Sequence, residues 1–341
     1  MNPKRVLFLL IIFLLMVSAK DERPAYLVYT AKGKQADWAD LLKAAKASDI
    51  VLFGEMHDNP VCHWLELQLE KELFEYKGND LVLGAEMLER DNQLLLNEYI
   101  SGMIRKKDFE SEAKLWPNYK TDYAPLVDFA KEHNLKFIAT DVPRRYAAIV
   151  NREGFAGLDS INGLERALMA PIPIKFNPEL KCYKDLIEGM EGMGPGHQGV
   201  NIAYAQALKD ATMAHFLMKN LGEGQIFLHF NGSYHSDRHE GIAWYVDMIN
   251  RKTANTIHVL VISSVEQDTI SSLKAENLGL GDFILCVPSD MTKTQPPSEM
   301  PMMAAPAMPG KPGAAPGMVK PVPPVVVDTS ATEGGDEDDD D

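Results

Sequence analysis

Six short, largely apolar runs recur along this chain, and four of them break abruptly on an acid or a histidine. The runs are residues 50–54, 81–87, 135–141, 225–230, 256–263 and 282–287. Between them lie segments with helical spacing, such as Val61, Leu65, Leu69 and Leu73. Strands that are apolar throughout are covered on both faces, and strands alternating with helices build parallel sheets. The expected fold class is therefore α/β: a mainly parallel central sheet with helices on both faces. In open sheets of this kind ligands collect outside the carboxyl ends of the strands. Here the first run exits into Glu55 and His57, the second into Glu86, the third into Asp141 and the fourth toward His235. That coincidence is the strongest functional signal in the chain.

The first exit sets the pattern. Gly54-Glu55-Met56-His57-Asp58 makes a tight turn, and Asn59-Pro60 opens a helix that carries His63 in its first turn. A second Gly-x-x-His, Gly232 to His235, follows the fourth run. A small residue lets the backbone turn, and the histidine is then expected to point across the sheet end. Glu55, His57, Glu86 and His235 make a nitrogen and oxygen donor set suited to Zn, Mn or Fe. The same four equally suit a metal-free acid–base cluster, because adjacent carboxylates and imidazoles shift one another's pKa. Both alternatives stay open. The spacing of His57 and His63 is not that of a His-Glu-x-x-His helix, which sets that metalloprotease class aside. His63 either enters the cleft or caps its own helix, and Asp141 is expected to support the cluster. His229 reads as a core residue, and His215 and His258 as core or helix-face residues.

The two ends read differently from the middle. Residues 1–19 place Lys4 and Arg5 before an apolar run that closes on Ser18-Ala19, the pattern of a cleaved secretory signal. Residues 20–39 form an N-terminal extension, and 40–290 the α/β domain. Residues 291–341 are rich in Pro and Met and end in acids, a composition expected to stay disordered. A Gly-rich segment, 190–197, reads as a loop or lid that carries His197. The net charge of −15 argues against nucleic-acid binding. Three cysteines, Cys62, Cys182 and Cys286, are too few for a disulfide framework, although one pair is free to oxidise in an exported chain.

Taken in order, four motifs resemble one family. They are Gly54-Glu55-Met56-His57-Asp58-Asn59-Pro60 with His63, Gly84-Ala85-Glu86-Met87, Thr140-Asp141-Val142-Pro143-Arg144, and Asn231-Gly232-Ser233-Tyr234-His235. Their combination resembles the ChaN-like haem-binding proteins of the Tiki, TraB and erythromycin-esterase superfamily, over roughly residues 40–290. The resemblance implies a helical subdomain, at about residues 90–220, beside the sheet, and haem binding linked to iron acquisition, in an exported protein at the periplasmic side or outer membrane. It also implies a homodimer around cofacial haems and outer-membrane uptake components as partners. Haem candidates are His63, with Tyr123, Tyr183 and Tyr204 as phenolate ligands and Arg144 for the propionates; packed tyrosines and a surface ion pair are the plainer alternatives. In related superfamily branches the shared positions, here Glu55, His57, Glu86 and His235, support hydrolysis with or without a divalent metal. A peptidase- or esterase-type hydrolase is therefore the alternative function. The chain departs from lipoprotein relatives in lacking a lipidation cysteine, and it adds the long tail.

Overall fold

Strands that are buried along their whole length need a cover on each face, and the architecture supplies it. In the computed structural model, which describes residues 23–190, 199–251 and 256–294, a single eight-stranded sheet runs through the domain. Its strands are β1 (Leu27–Thr30), β2 (Gln35–Ala36), β3 (Ile50–Glu55), β4 (Leu81–Glu89), β5 (Lys136–Asp141), β6 (Ile226–Gly232), β7 (Val259–Gln267) and β8 (Phe283–Pro288). The spatial order is β2-β1-β8-β7-β3-β6-β4-β5. The six strands from β8 to β5 are mutually parallel, whereas β1 pairs antiparallel with both β8 and β2. The fold class expected from the apolar runs is the one observed.

Ten helices accompany the sheet among the described residues: α1 (Trp38–Lys46), α2 (Pro60–Lys77), α3 (Gln93–Ile100), α4 (Lys106–Glu112), α5 (Ala124–Glu132), α6 (Arg144–Glu153), α7 (Gly163–Arg166), α8 (Lys181–Met190), α9 (Gly199–Asn220) and α10 (Ile242–Asn250). A one-turn π-helix, Tyr119–Tyr123, leads into α5. Period-two alternation divides the strand side chains between two cores. Val51, Phe53, Leu83 and Phe230 pack with Leu65 and Leu69 of α2 and Leu126 of α5. Ile50, Leu52, Val82 and Phe227 pack with Val150 of α6, Leu208 of α9 and Val246 of α10.

The chain places β4 and β5 on one side of β3, returns to insert β6 between β3 and β4, and then adds β7 and β8 on the other side. The direction of winding therefore changes at β3 and β6, the place where open α/β sheets form their crevice. Gly54 is required there. A Cβ at that position would lie 2.8 Å from the Ser233 Cα and 2.9 Å from the Ile262 carbonyl oxygen.

Local differences from expectation have local causes. Helix α4 is only seven residues long, Lys106 to Glu112, since Ala113 turns extended. The fifth run pairs onward to Gln267 because β8 continues alongside it. The short polar β2 carries no apolar signal and forms only by pairing with β1. The three cysteines are all free and buried, so no pair is oxidised. No helix among the described residues is long and apolar enough to cross a membrane. The expected signal, most of the Gly-rich segment with His197, and residues 295–341 of the expected tail lie outside the described residues.

Candidate functional site at the strand ends

The carboxyl ends of β3, β4, β5 and β6 bring Glu55, Glu86, Asp141 and His235 to one rim, all nearly inaccessible to solvent. His57 joins them across Gly232. A Cβ on Gly232 would sit 2.6 Å from His57 Nε2 and 3.5 Å from Glu86 Oε2, so glycine is what lets the imidazole lie over the end of β6. The four residues singled out from sequence thus converge. The geometry also separates them into two halves that meet at Gly232.

The first half is built on β3 and α2. Asn59 caps α2, its side chain accepting from the N–H groups of Val61 at 3.0 Å and Cys62 at 3.3 Å, and Pro60 follows it. This fixes the turn that carries Glu55 and His57. Glu55 Oε1 accepts from His57 Nδ1 at 2.6 Å and from the Tyr123 hydroxyl at 2.8 Å. Glu55 Oε2 lies 2.9 Å from His63 Nδ1, which is also 3.3 Å from Glu66 Oε2. On its far side His63 Nε2 faces Asp122 Oδ2 at 3.3 Å. His63 therefore enters the cluster instead of capping its helix. Burial pushes the Glu55 carboxyl up, but the charge of His63 and the hydrogen bond from His57 outweigh it and hold the group ionised. Burial opposes charge on His63 too, yet Glu55 and Glu66 raise its pKa well above the ordinary imidazole value. Glu66 and Glu70 are fully buried, and desolvation followed by a neighbouring carboxylate drives both far upward. Asp58, at the edge of this half, pairs with Lys293 at 3.1 Å.

The second half is built on β4, β5, β6 and α9. Glu86 Oε2 accepts the Gly232 N–H at 2.8 Å, and Oε1 lies 3.0 Å from His235 Nε2 and 3.2 Å from Lys209 Nζ. Lys209 also reaches Asp141 Oδ2 at 3.0 Å. His235 Nδ1 meets Asp210 Oδ1 at 2.5 Å, and Asp210 Oδ2 accepts the Tyr183 hydroxyl at 2.7 Å. Burial works against ionisation of Glu86, but the charges of His235 and Lys209 prevail and keep it well below the ordinary range. His235 is pushed up to about 10 against its own desolvation, by Glu86 and Asp210. Asp141 rises to about 6 through burial, moderated by Lys209.

Chemically, each half holds an imidazole oriented by a carboxylate, the arrangement used to move protons. For a metal at Glu55, His57, Glu86 and His235 the fit is poor on the Glu86 side. Lys209 already places an ammonium there, where a cation would otherwise be needed. Among the haem candidates, His63, Tyr123 and Tyr183 are buried inside the rim. Tyr123 and Tyr183 keep their protons, since burial and then Glu55 and Asp210 raise both phenols. Tyr204 is half-buried and stacks on Phe155 with ring centroids 4.5 Å apart. Arg144, about half exposed, ion-pairs at 2.5 Å with Glu89, whose side chain is nearly buried. Lys209, Asp210, Glu66, Glu70 and Asp122 were not among the residues singled out from sequence.

Comparison with known proteins adds a family context. A family model described as haem-binding uptake, Tiki superfamily, ChaN matches residues 41–246. Protein RETICULATA-RELATED 5, chloroplastic, of Arabidopsis thaliana is 29% identical over 208 residues, covering 57% of this chain but only 27% of the plant protein. Among solved structures, ChaN of Campylobacter jejuni, determined with cofacial haem, is similar in fold, with a TM-score of 0.57 at 16% identity over 76% of this chain and 96% of that one. A mutant of the erythromycin esterase EreC in its open conformation has a TM-score of 0.42 at 11% identity over 77% and 97% of the two chains.

Proposed function

This chain belongs to the ChaN family of haem-binding uptake proteins in the Tiki superfamily, and on that premise we propose that it binds haem as an exported component of haem and iron acquisition. The observation that carries the proposal is a groove of about 660 Å³ between α9, α10 and the segment 170–175. Its walls include Pro171, Ile172, Pro173, Met248 and Ile249, and Lys175 and Lys219 also line it. Haem needs apolar walls for its macrocycle, cations for its propionates and a nitrogen, sulfur or phenolate donor for iron. The groove offers all three kinds of group, with His215 and Met218 as donors. The His215 imidazole is held below its ordinary pKa by burial first and by the charges of Lys219 and Arg90 second. A neutral imidazole is the form that ligates metal.

The rim is a poorer home for haem. Its imidazoles are already paired with carboxylates, and two of the three candidate tyrosines are committed to carboxylates. The family match also favours haem over the hydrolytic alternative. Outer-membrane uptake partners and a homodimer belong to the same proposal, as does export. Titrating the purified chain with haemin, with the Soret band as readout, is expected to give a saturable shift near one equivalent. A band that moves only as free haemin does would end the reading.

A further inference from the structure

We propose that Glu55, His63 and Glu66 hold a divalent transition-metal ion inside the α2 half of the rim, a ligand separate from the haem of the groove. One ligand atom from each of the three residues lies within 4.8 Å of the others. His63 Nδ1 stands 2.9 Å from Glu55 Oε2 and 3.3 Å from Glu66 Oε2. These separations are close to those of neighbouring ligands on an ion with bonds of about 2 Å.

The groups around this triad are arranged as supports for ligands. His63 Nε2 faces Asp122 Oδ2 at 3.3 Å, and Asp122 is itself held by the Asn118 amide at 2.6 Å and the Thr294 hydroxyl at 2.7 Å. A carboxylate on the far nitrogen of a histidine orients a metal-bound imidazole and raises its basicity. Glu55 is anchored on its other oxygen by His57 and Tyr123. Among the described residues the oxygen that faces the triad, Glu55 Oε2, has no hydrogen-bond partner of good geometry, nor have Glu66 Oε1 and His63 Nε2, whose approach to Asp122 is an ion-pair distance. One helical turn beyond, both oxygens of the buried Glu70 are also without one. Buried polar atoms seldom go unsatisfied without a bound water, an ion or a functional cause.

The charge balance points the same way. Glu66 has His63 as its only ion-pair partner among the described residues, and Glu70 has none. Among the described residues no lysine or arginine does here what Lys209 does across the rim. A donor set of two carboxylates and one imidazole suits Zn, Mn, Fe or Co better than Ca or Mg, which favour oxygen alone. This set differs from the one expected from sequence, sharing only Glu55 with it.

The test uses the full chain, stripped with a chelator, desalted and titrated with Zn²⁺ or Co²⁺ alone by calorimetry, with elemental analysis of the product. One equivalent is expected. Glu66→Gln and Asp122→Asn should each weaken it by about tenfold or more, and His215→Ala should leave it unchanged. No stoichiometric uptake by the folded wild type overturns the proposal, as does Glu66→Gln binding as tightly as wild type. Binding lost in Glu86→Gln but kept in Glu66→Gln would move the ion to the other half and also overturn it. Should the variants fail to fold, the wild type still decides: its thermal midpoint should rise with Zn²⁺ concentration, and a flat midpoint contradicts the site.

Discussion

The two halves of the rim contain the same kinds of side chain and balance their charges in opposite ways. Around α9 the acids Glu86, Asp141 and Asp210 are met by Lys209 and His235, both of which stay protonated. Around α2 the acids Glu55 and Glu66 are met by His63 inside, with His57 at the partly exposed edge, and Glu70 has no ion-pair partner among the described residues. The difference teaches that converging acids at strand ends do not define a chemistry. What matters is whether the fold also delivers cations. One half is a closed ion network; the other must take up protons or a metal ion.

Substitutions that remove charge should separate the halves by sign. The largest effect is expected for Lys209→Met, which leaves Glu86 and Asp141 buried without their ammonium. Breaking a buried pair in this way costs roughly 3–5 kcal/mol, readable as a lower urea midpoint. A loss under about 1 kcal/mol would mean that the second half is not a closed network.

Next comes a pH effect behind the same half. His229 lies buried between Thr140, 2.8 Å from Nε2, and Asn231, 3.0 Å from Nδ1. The Asn231 amide nitrogen already donates to the Gly232 carbonyl and Ser236, so its oxygen faces the ring and accepts from Nδ1–H. The Thr140 hydroxyl then donates to Nε2, and the ring is neutral. Burial depresses its pKa from 6.5 to about 4. As pH falls below 6.5 the unfolded chain binds a proton that the native ring refuses. This contribution to stability is therefore intact above 6.5, declines between 6.5 and about 4, and levels off below. The expected loss is roughly 3 kcal/mol. His229→Gln should flatten that window of the stability profile; an unchanged slope would count against a neutral buried ring.

A smaller effect of opposite sign is expected in the first half. Glu70→Leu removes a buried carboxyl that has no partner, so the metal-free protein should gain about 1 kcal/mol. A loss of several kcal/mol on denaturant unfolding would show that Glu70 has a partner after all. Smallest of all is Arg144→Ala. Its guanidinium is half exposed, and Glu89 keeps Lys114 at 3.3 Å, so the change should stay below about 1 kcal/mol.

The sheet and the rim were legible because both rest on local pattern. An apolar run that ends on an acid marks a buried strand and its exit, as Phe53-Gly54-Glu55 does; Ala85-Glu86 marks where the regular pairing of β4 stops, although the strand runs on to Glu89. The partners from helices were harder to read. Glu66 and Glu70 stand at helical spacing from His63, which reads as the wet face of an amphipathic helix until the π-helix at Tyr119–Tyr123 and α5 are seen against it. Lys209 and Asp210 had a signal that was available: they interrupt an alanine-rich stretch of α9 in which nearly every neighbour is buried. Charges on an otherwise small and apolar helix are best read as facing something polar inside. The groove had no such signal. Its wall is an irregular Pro-rich segment, and His215 meets it only through the packing of α9 against α10.

That haem sits in the groove and not at the rim is our proposal. It is tested most directly by haemin titrations run side by side on the wild type, His215→Ala and Glu86→Gln, with folding checked by circular dichroism. Saturable Soret shifts are expected for wild type and Glu86→Gln, with His215→Ala losing the shift or weakening it by about tenfold or more, since it removes the iron's nitrogen donor. A shift abolished by Glu86→Gln and untouched by His215→Ala would place the haem at the strand ends and contradict the account.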